Sequence, residues 1–138
     1  MNFSYYGETP PTYQELESQD ALVVIPHPFD KLRLGFKFMD QIVGRIDLLE
    51  TFNSRTQLPK YNDIAKKFAE KHSLPQVAGS DSHSPAEIGN AYTEVEASGL
   101  EEARKMLLAG KTKLVGKKGT LKDHFITQLA KHKIIKER

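Results

Sequence analysis

Residues 45–78 read RIDLLETFNSRTQLPKYNDIAKKFAEKHSLPQVA, and this stretch decides the fold. The apolar residues of 45–52 predict a strand. Asn62 is predicted to cap a helix that ends at His72, because apolar side chains recur on one face and charged side chains on the other. Residues 76–78 begin the next strand. A strand, a helix and a second strand in this order are typical of two parallel strands joined by a right-handed crossover.

The same alternation of helices and strands continues on both sides of this unit. The further predicted elements are helices that begin at Thr12, Ser84, Ser98 and Thr120, a helix over residues 36–43, and strands over residues 21–25 and 92–97. The sequence therefore predicts an α/β fold with about four parallel strands and flanking helices. Four strands are too few to close an eight-stranded barrel, so we expect either a small open sheet or a piece of a larger domain.

The composition excludes several classes of protein. A length of 138 residues with 38% hydrophobic and 28% charged residues fits one folded domain and neither a disordered nor a fibrous chain. The longest apolar run has only five residues, at 21–25, so no membrane partner is expected. The absence of Cys excludes disulfides and thiol catalysis, fits a cytoplasmic protein, and leaves His, Asp and Glu as the available metal ligands.

Charge divides the chain into an acidic and a basic part. Residues 101–138 hold 11 Lys or Arg against 4 Asp or Glu, whereas residues 1–100 hold 9 against 14. The predicted organisation is an irregular lead-in over residues 1–11, an α/β domain over residues 12–116 and a basic C-terminal helix over residues 117–138. This helix is either a solvated surface or a site for an anionic partner such as phosphate or nucleic acid.

Polar residues follow three of the predicted strands at the point where each strand ends. His27 follows the first strand, Glu50 and Asn53 end the second, and Asp81 and His83 follow the third. Because the carboxyl ends of parallel strands meet at one rim of a sheet, we expect these five side chains to lie near one another.

Three of these residues suit a divalent metal ion. In an extended segment the side chains of Asp81 and His83 stand side by side, which forms one edge of a metal site. Pro26 and Pro28 predict a rigid, extended turn that directs His27 outward. Each residue also fits a purely structural place in a turn. The metal interpretation predicts that His27, Asp81 and His83 converge on one ion.

The second strand carries the candidate substrate-binding residues Glu50, Asn53 and Arg55. A carboxylate at the end of an apolar strand is costly unless it is paired or hydrated, so Glu50 is predicted to orient a ligand histidine. The guanidinium of Arg55 is a candidate fork for a phosphate group. All three residues also fit structural roles at the end of a strand.

Four segments, in this order, resemble the C-terminal half of metal-dependent phosphoesterases of the polymerase and histidinol phosphatase (PHP) family. They are IPHPFD at 25–30, ETFNSR at 50–55, AGSDSHSPAEIGNAYTEVEA at 78–97 and GKT at 110–112. The resemblance covers about residues 12–112. It implies part of a distorted βα barrel with a metal cluster at the strand ends, where a metal-bound hydroxide hydrolyses a phosphoester.

The resemblance also implies roles for individual residues. His27 matches the family's late histidine ligand, and Asp81 and His83 match its terminal Asp-x-His pair, which are therefore both metal ligands and catalytic candidates. Glu50 and Asn53 fall in a pocket segment. The implied cofactor is Mn, Zn, Fe or Mg, and the implied substrate is a phosphorylated small molecule or a nucleotide.

The chain departs from the family in one respect. The family's earlier ligands begin with a His-x-His segment, and no histidine precedes His27 in this sequence. We therefore expect a C-terminal portion with an incomplete metal site that is poorly active alone. Open strand edges predict a homodimer or pairing with a missing N-terminal half, unless the basic helix folds back over the sheet. The alternative is a non-catalytic scaffold or an anion- or nucleic-acid-binding module.

Overall fold

A computed structural model describes residues 13–32 and 38–120. The helices are α1 (Tyr13–Ser18), α2 (Met39–Ile42), α3 (Lys60–His72) and α4 (Leu100–Leu108), and the strands are β1 (Val24–Ile25), β2 (Leu48–Asn53), β3 (Gln76–Gly79), β4 (Ala91–Glu94) and β5 (Lys113–Gly116). The predicted lead-in over residues 1–11 and residues 121–138 of the predicted basic helix lie outside the described residues. Within the described ranges, no helix is long and apolar enough to cross a bilayer.

The central unit is the one that the opening stretch predicts. Strands β1, β2 and β3 form a parallel sheet in which β2 is the middle strand, and α3 connects β2 to β3 and packs against β2. The core combines Ile25 and Leu49 of the sheet with Met39, Ile46 and Ala69. The prediction of an α/β fold with parallel strands is therefore confirmed.

The predicted fourth strand forms, but it does not pair with the parallel sheet. Strand β4 pairs antiparallel with β5, which the sequence did not predict, and the two form a separate small sheet. Thr93 links β4 to β3, since its hydroxyl accepts a hydrogen bond from the Ala78 N–H at 2.8 Å and donates one to the Ala78 carbonyl. No closed barrel is seen in the described part of the chain, so the implied PHP-type barrel is not confirmed.

The first strand is shorter and more exposed than predicted for residues 21–25. Only Val24 and Ile25 pair with β2, and Val24 is 41% exposed. The physical reason lies in Asp47, whose carboxylate accepts the Val23 N–H at 2.7 Å. The Asp47 side chain therefore occupies the Val23 N–H, which would otherwise donate to β2 and lengthen the pairing of the two strands.

Two helix starts also differ from the prediction. Helix α3 begins at Lys60, after Pro59, and Asn62 does not cap it. Instead, the Asn62 side chain accepts the Asn53 N–H and donates to the Asn53 carbonyl, both at 3.2 Å. The helix predicted from Ser84 is a single 3-10 turn, Pro85–Glu87. Asn62 therefore fixes the end of β2, which carries the candidate site.

Candidate functional site

Glu50 lies at the centre of the candidate site, near the C-terminal end of β2. Its buried carboxylate accepts the backbone N–H of His27 at 2.7 Å and the Asn53 side-chain amide at 3.0 Å, both on Oε2. Its other oxygen lies directly against Gly79, where an added Cβ would overlap it. Glu50 therefore joins β1, β2 and β3 where all three strands end, and Gly79 leaves the space that it occupies.

A β-bulge in β2 brings the side chains of Glu50 and Asn53 together. Residues three apart on a regular strand point to opposite faces. In β2 the register with β3 shifts between Glu50 and Phe52, so Thr51 is an extra residue without a partner in the ladder. The extra residue turns Asn53 to the same face as Glu50, because a bulge re-aims the side chains that follow it.

Asn53 bridges two carboxylates. Its side chain is almost fully buried, and Nδ2 donates to Glu50 Oε2 and, at 3.3 Å, to Asp81 Oδ2. The amide oxygen accepts the backbone N–H of Arg55 at 2.9 Å. One neutral amide therefore lies between the carboxylates of Glu50 on β2 and Asp81 after β3. The hydrogen bond from the Arg55 N–H fixes which way this amide points.

His27 does not have the extended backbone that its flanking prolines predict. Its φ is +31°, in the left-handed region that residues other than glycine rarely adopt. This conformation directs the His27 N–H to Glu50, and the His27 carbonyl accepts the Asp30 N–H in a tight turn. The buried Nδ1 of His27 has no hydrogen-bond partner within the described ranges. Strained backbone of this kind is concentrated at functional sites.

Asp81 and His83 are adjacent, but not through an extended backbone as predicted. Asp81 also has a left-handed backbone, with φ of +51°. The His83 ring nitrogen Nδ1 lies 2.8 Å from the Asp81 carbonyl oxygen and 3.9 Å from Asp81 Oδ1. Because a carbonyl only accepts, Nδ1 carries the proton of this hydrogen bond, and in the neutral imidazole Nε2 then carries the lone pair. The His83 side chain is 39% exposed, so the arrangement suits a metal ligand or a base.

Arg55 is buried and paired with Glu87, which is fully buried. Burial by itself raises the pKa of the Glu87 carboxyl, but hydrogen bonds from the His83 N–H and the Ser84 hydroxyl, with the Arg55 guanidinium, bring the pKa below its usual range. Phosphate binding by Arg55 stays a prediction, and this placement favours a structural role. Glu87 was missed as a site residue, although the Ser-x-x-Glu capping pattern that contains it was visible in the sequence.

The structure thus joins all six predicted site residues by direct hydrogen bonds, although His83 contacts only the backbone carbonyl of Asp81 and Arg55 contacts Asn53 only through its backbone N–H. The guanidinium of Arg55 is directed to Glu87 instead. Among the described residues, no group of three or more His, Asp and Glu side chains is arranged to hold a metal ion. The convergence of His27, Asp81 and His83 on one ion therefore remains a prediction.

Comparison with known proteins agrees with the resemblance. Residues 59–112, which include Asp81 and His83, match the family model described as PHP-associated, and this match supports the predicted resemblance to a PHP C-terminal region. Over 93 residues, or 63% of the chain, the sequence is 32% identical to an uncharacterised protein of Methanocaldococcus jannaschii. The chain spans 39% of the length of that relative.

Proposed function

Starting from the PHP-associated region at residues 59–112, we propose that this chain is part of a metal-dependent phosphoesterase. In this proposal His27, Asp81 and His83 bind a divalent cation and Glu50 and Asn53 orient them. The observation that carries the proposal is the Asn53 amide, which links the buried Glu50 carboxylate to Asp81 at the shared end of the parallel strands. A buried polar network whose groups are hydrogen-bonded to one another is rigid and fixes the position of the groups it holds.

The donor atoms fit a cation in three respects. The buried Nδ1 of His27 has no hydrogen-bond partner in the part of the chain that the structure describes, and Nε2 of His83 carries a lone pair. Asp81 would contribute a carboxylate oxygen, and its Oδ1 lies 3.9 Å from His83 Nδ1. Imidazole nitrogen and carboxylate oxygen together suit Mn, Zn and Fe, and the carboxylate alone suits Mg.

A cation held by His27, Asp81 and His83 would supply an activated hydroxide and would offset charge on the phosphoester. The residues of this chain orient the ligands. The Glu50 carboxylate holds the His27 turn by accepting the His27 N–H, and the Asn53 amide donates to the Asp81 carboxylate. The Asp81 carbonyl holds His83 with Nε2 directed away from the hydrogen bond.

The segment that follows β5 supports the proposal of a phosphate-bearing ligand. It contains the exposed residues Lys117 and Lys118, and it is hydrogen-bonded to Ser54. The Ser54 hydroxyl donates to the Lys117 carbonyl at 2.8 Å, and the Gly119 N–H donates to the Ser54 carbonyl at 2.7 Å. Two positive charges on a segment held at the strand ends favour an anionic substrate. They also favour the second candidate function, an anion-binding module without catalysis.

Calorimetric titration of the chain with Mn²⁺ tests the proposal. Asp81→Asn and His83→Ala are expected to weaken Mn²⁺ binding by at least about tenfold, because each removes a ligand or its support. Asp63→Asn is the matched control, since Asp63 is an exposed acid in the first turn of α3 and its loss should leave binding unchanged. Equal Mn²⁺ binding by all four proteins, or none by the unsubstituted chain, would overturn the metal role.

Hydrolysis of a generic phosphodiester, read together with Mn²⁺ and phosphate binding, distinguishes the two candidate functions. The ligand inventory predicts turnover barely above background for this chain with Mn²⁺, and the same assay with His83→Ala is the control. Strong Mn²⁺-dependent turnover that His83→Ala abolishes would show that the site is complete. Salt-sensitive binding of inorganic phosphate without any Mn²⁺ binding would instead support the anion-binding module.

A further inference from the structure

Glu87 uses both carboxylate oxygens in the interior of the protein. Oε1 accepts a hydrogen bond from Arg55 Nη1, and Oε2 accepts the His83 N–H at 2.9 Å and the Ser84 hydroxyl at 3.0 Å. Glu87 is 0% exposed, and Arg55 is also buried. The pair therefore connects the end of β2 to the backbone of His83, which belongs to the loop that follows β3.

The loop from Ser80 to Ser84 contains no helix or strand of its own. Two links from β2 hold its described residues. The Asn53 amide contacts the Asp81 carboxylate, and Arg55 contacts Glu87, which accepts the His83 N–H. Asn53 and Arg55 are two residues apart, as are Asp81 and His83, so the strand end holds the loop at two matched points.

We infer that Arg55 and Glu87 are a buried positioning pair, in which Glu87 sets the orientation of the His83 imidazole by accepting the His83 N–H and Arg55 compensates the buried charge of Glu87. The pair fixes the His83 backbone, and the Asp81 carbonyl then selects the tautomer with the proton on Nδ1. The inference rests on the proposed function in one respect: a metal ion would bind the His83 imidazole in the orientation that Glu87 sets. The orientation itself does not depend on a metal ion. It gives Arg55 a task different from binding a phosphate group.

Two double variants separate positioning from simple structural support. Arg55→Met/Glu87→Gln leaves no unpaired buried charge and keeps an amide oxygen that accepts the His83 N–H. Arg55→Met/Glu87→Leu also leaves no unpaired charge but removes that acceptor. Replacement of a buried ion pair by packed neutral side chains is often tolerated, so both variants are expected to fold. Arg104→Met is the matched control, because it removes an arginine pair with Asp20 on an exposed part of the chain.

The first measurement is the ¹⁵N NMR tautomer state of His83 in the metal-free chain at pH 8.5. We expect one tautomer, with the proton on Nδ1, in the unsubstituted chain, in Arg104→Met and in the first double variant, which keeps the acceptor. We expect a mixture of tautomers in the second double variant. The second measurement is Mn²⁺ affinity, which we expect to be about tenfold weaker in the second double variant than in the first.

The two measurements distinguish failure of this inference from failure of the proposed function. If the chain binds no Mn²⁺ but the His83 tautomer still depends on the acceptor at position 87, positioning stands and the metal role fails. If both double variants show the same single tautomer, the pair does not position His83, and the inference is overturned whatever the Mn²⁺ result. If Arg55→Met/Glu87→Leu does not fold, Arg55→Met/Glu87→Met takes its place, because it also removes the acceptor of the His83 N–H and leaves no unpaired buried charge, and it is read by the same tautomer criterion.

Discussion

Replacing Asn53 with aspartate tests whether one neutral amide keeps two carboxylates in place. The change is nearly isosteric, but it puts an anionic oxygen where Nδ2 lies 3.0 Å from Glu50 Oε2 and 3.3 Å from Asp81 Oδ2. At an effective dielectric constant of about 20, two unit charges about 3 Å apart repel by roughly 5 kcal/mol. Two such repulsions are larger than the free-energy cost of protonating one carboxylate at neutral pH. We therefore expect one of the three carboxyls to be protonated in the folded variant.

This bound proton makes the stability of Asn53→Asp depend on pH. In the unfolded chain all three carboxyls are ionised above about pH 5. Above that pH the folded variant therefore holds one more proton than the unfolded chain. Its free energy of unfolding should therefore fall with rising pH by about 1.4 kcal/mol per pH unit relative to the unsubstituted protein. Between pH 5.5 and 7.5 the additional loss amounts to about 2.7 kcal/mol by the same relation.

Urea unfolding at the two pH values measures this loss. Asn62→Asp is the matched control, because the Asn62 side chain contacts only the backbone of Asn53 in the hydrogen bonds that hold it. The control should lose stability by a similar amount at both pH values. If Asn53→Asp and the unsubstituted protein differ equally at pH 5.5 and 7.5, the two carboxylates do not face the amide as the structure has them.

Three further changes probe the surroundings of this amide. Gly79→Ala should cost about 1–3 kcal/mol of unfolding free energy, because a Cβ there overlaps the Glu50 carboxylate, and should speed hydrogen exchange of the His27 amide; unchanged exchange would contradict the close packing. Leu49→Ala should cost about 2–5 kcal/mol in urea unfolding, since Leu49 is fully buried in the sheet, and a loss below about 1 kcal/mol would mean that this strand is not central. Because the pKa of Glu87 is lowered from 4.5, its carboxylate stabilises the fold above pH 4.5, and this contribution is lost as the pH falls through the lowered pKa. In acid unfolding, Glu87→Gln should therefore be less stable at the start but lose less stability as the pH falls. Parallel curves of stability against pH for the two proteins would refute the lowered pKa.

The sequence predicted the elements whose pattern is local. Helix α3 carries apolar side chains at helical spacing, and the strands on either side of it each contain a short apolar segment, Leu48–Leu49 in β2 and Val77–Ala78 in β3, so the parallel unit follows from local patterns. The separate sheet of β4 does not follow, because it depends on pairing with β5, and Lys113–Gly116 is a weak strand pattern by itself. The length of β1 depends on the distant carboxylate of Asp47, which no local pattern reveals.

The candidate site was predicted in its residues but not in its geometry. The rule that parallel strands end at one rim placed His27, Glu50, Asn53 and Asp81 together, and hydrogen bonds join them in the structure. The bulge that turns Asn53 toward Glu50 leaves no mark in the alternation of side chains. The left-handed backbones of His27 and Asp81 oppose the preference of each residue, so only the surrounding contacts can impose them.

Three consecutive residues at the end of β2 account for how this site is built. Asn53 reaches Asp81, Ser54 reaches the segment after β5, and Arg55 reaches His83 through Glu87. Side chains of adjacent residues on a strand point in different directions, so one short stretch of backbone can contact two separate segments, the loop after β3 and the segment after β5. Because Asn62 fixes both backbone hydrogen-bonding groups of Asn53, helix α3 sets the position of that stretch. The rigidity of the rim therefore comes from the βα unit itself, and the loop that carries Asp81 and His83 derives its geometry from it.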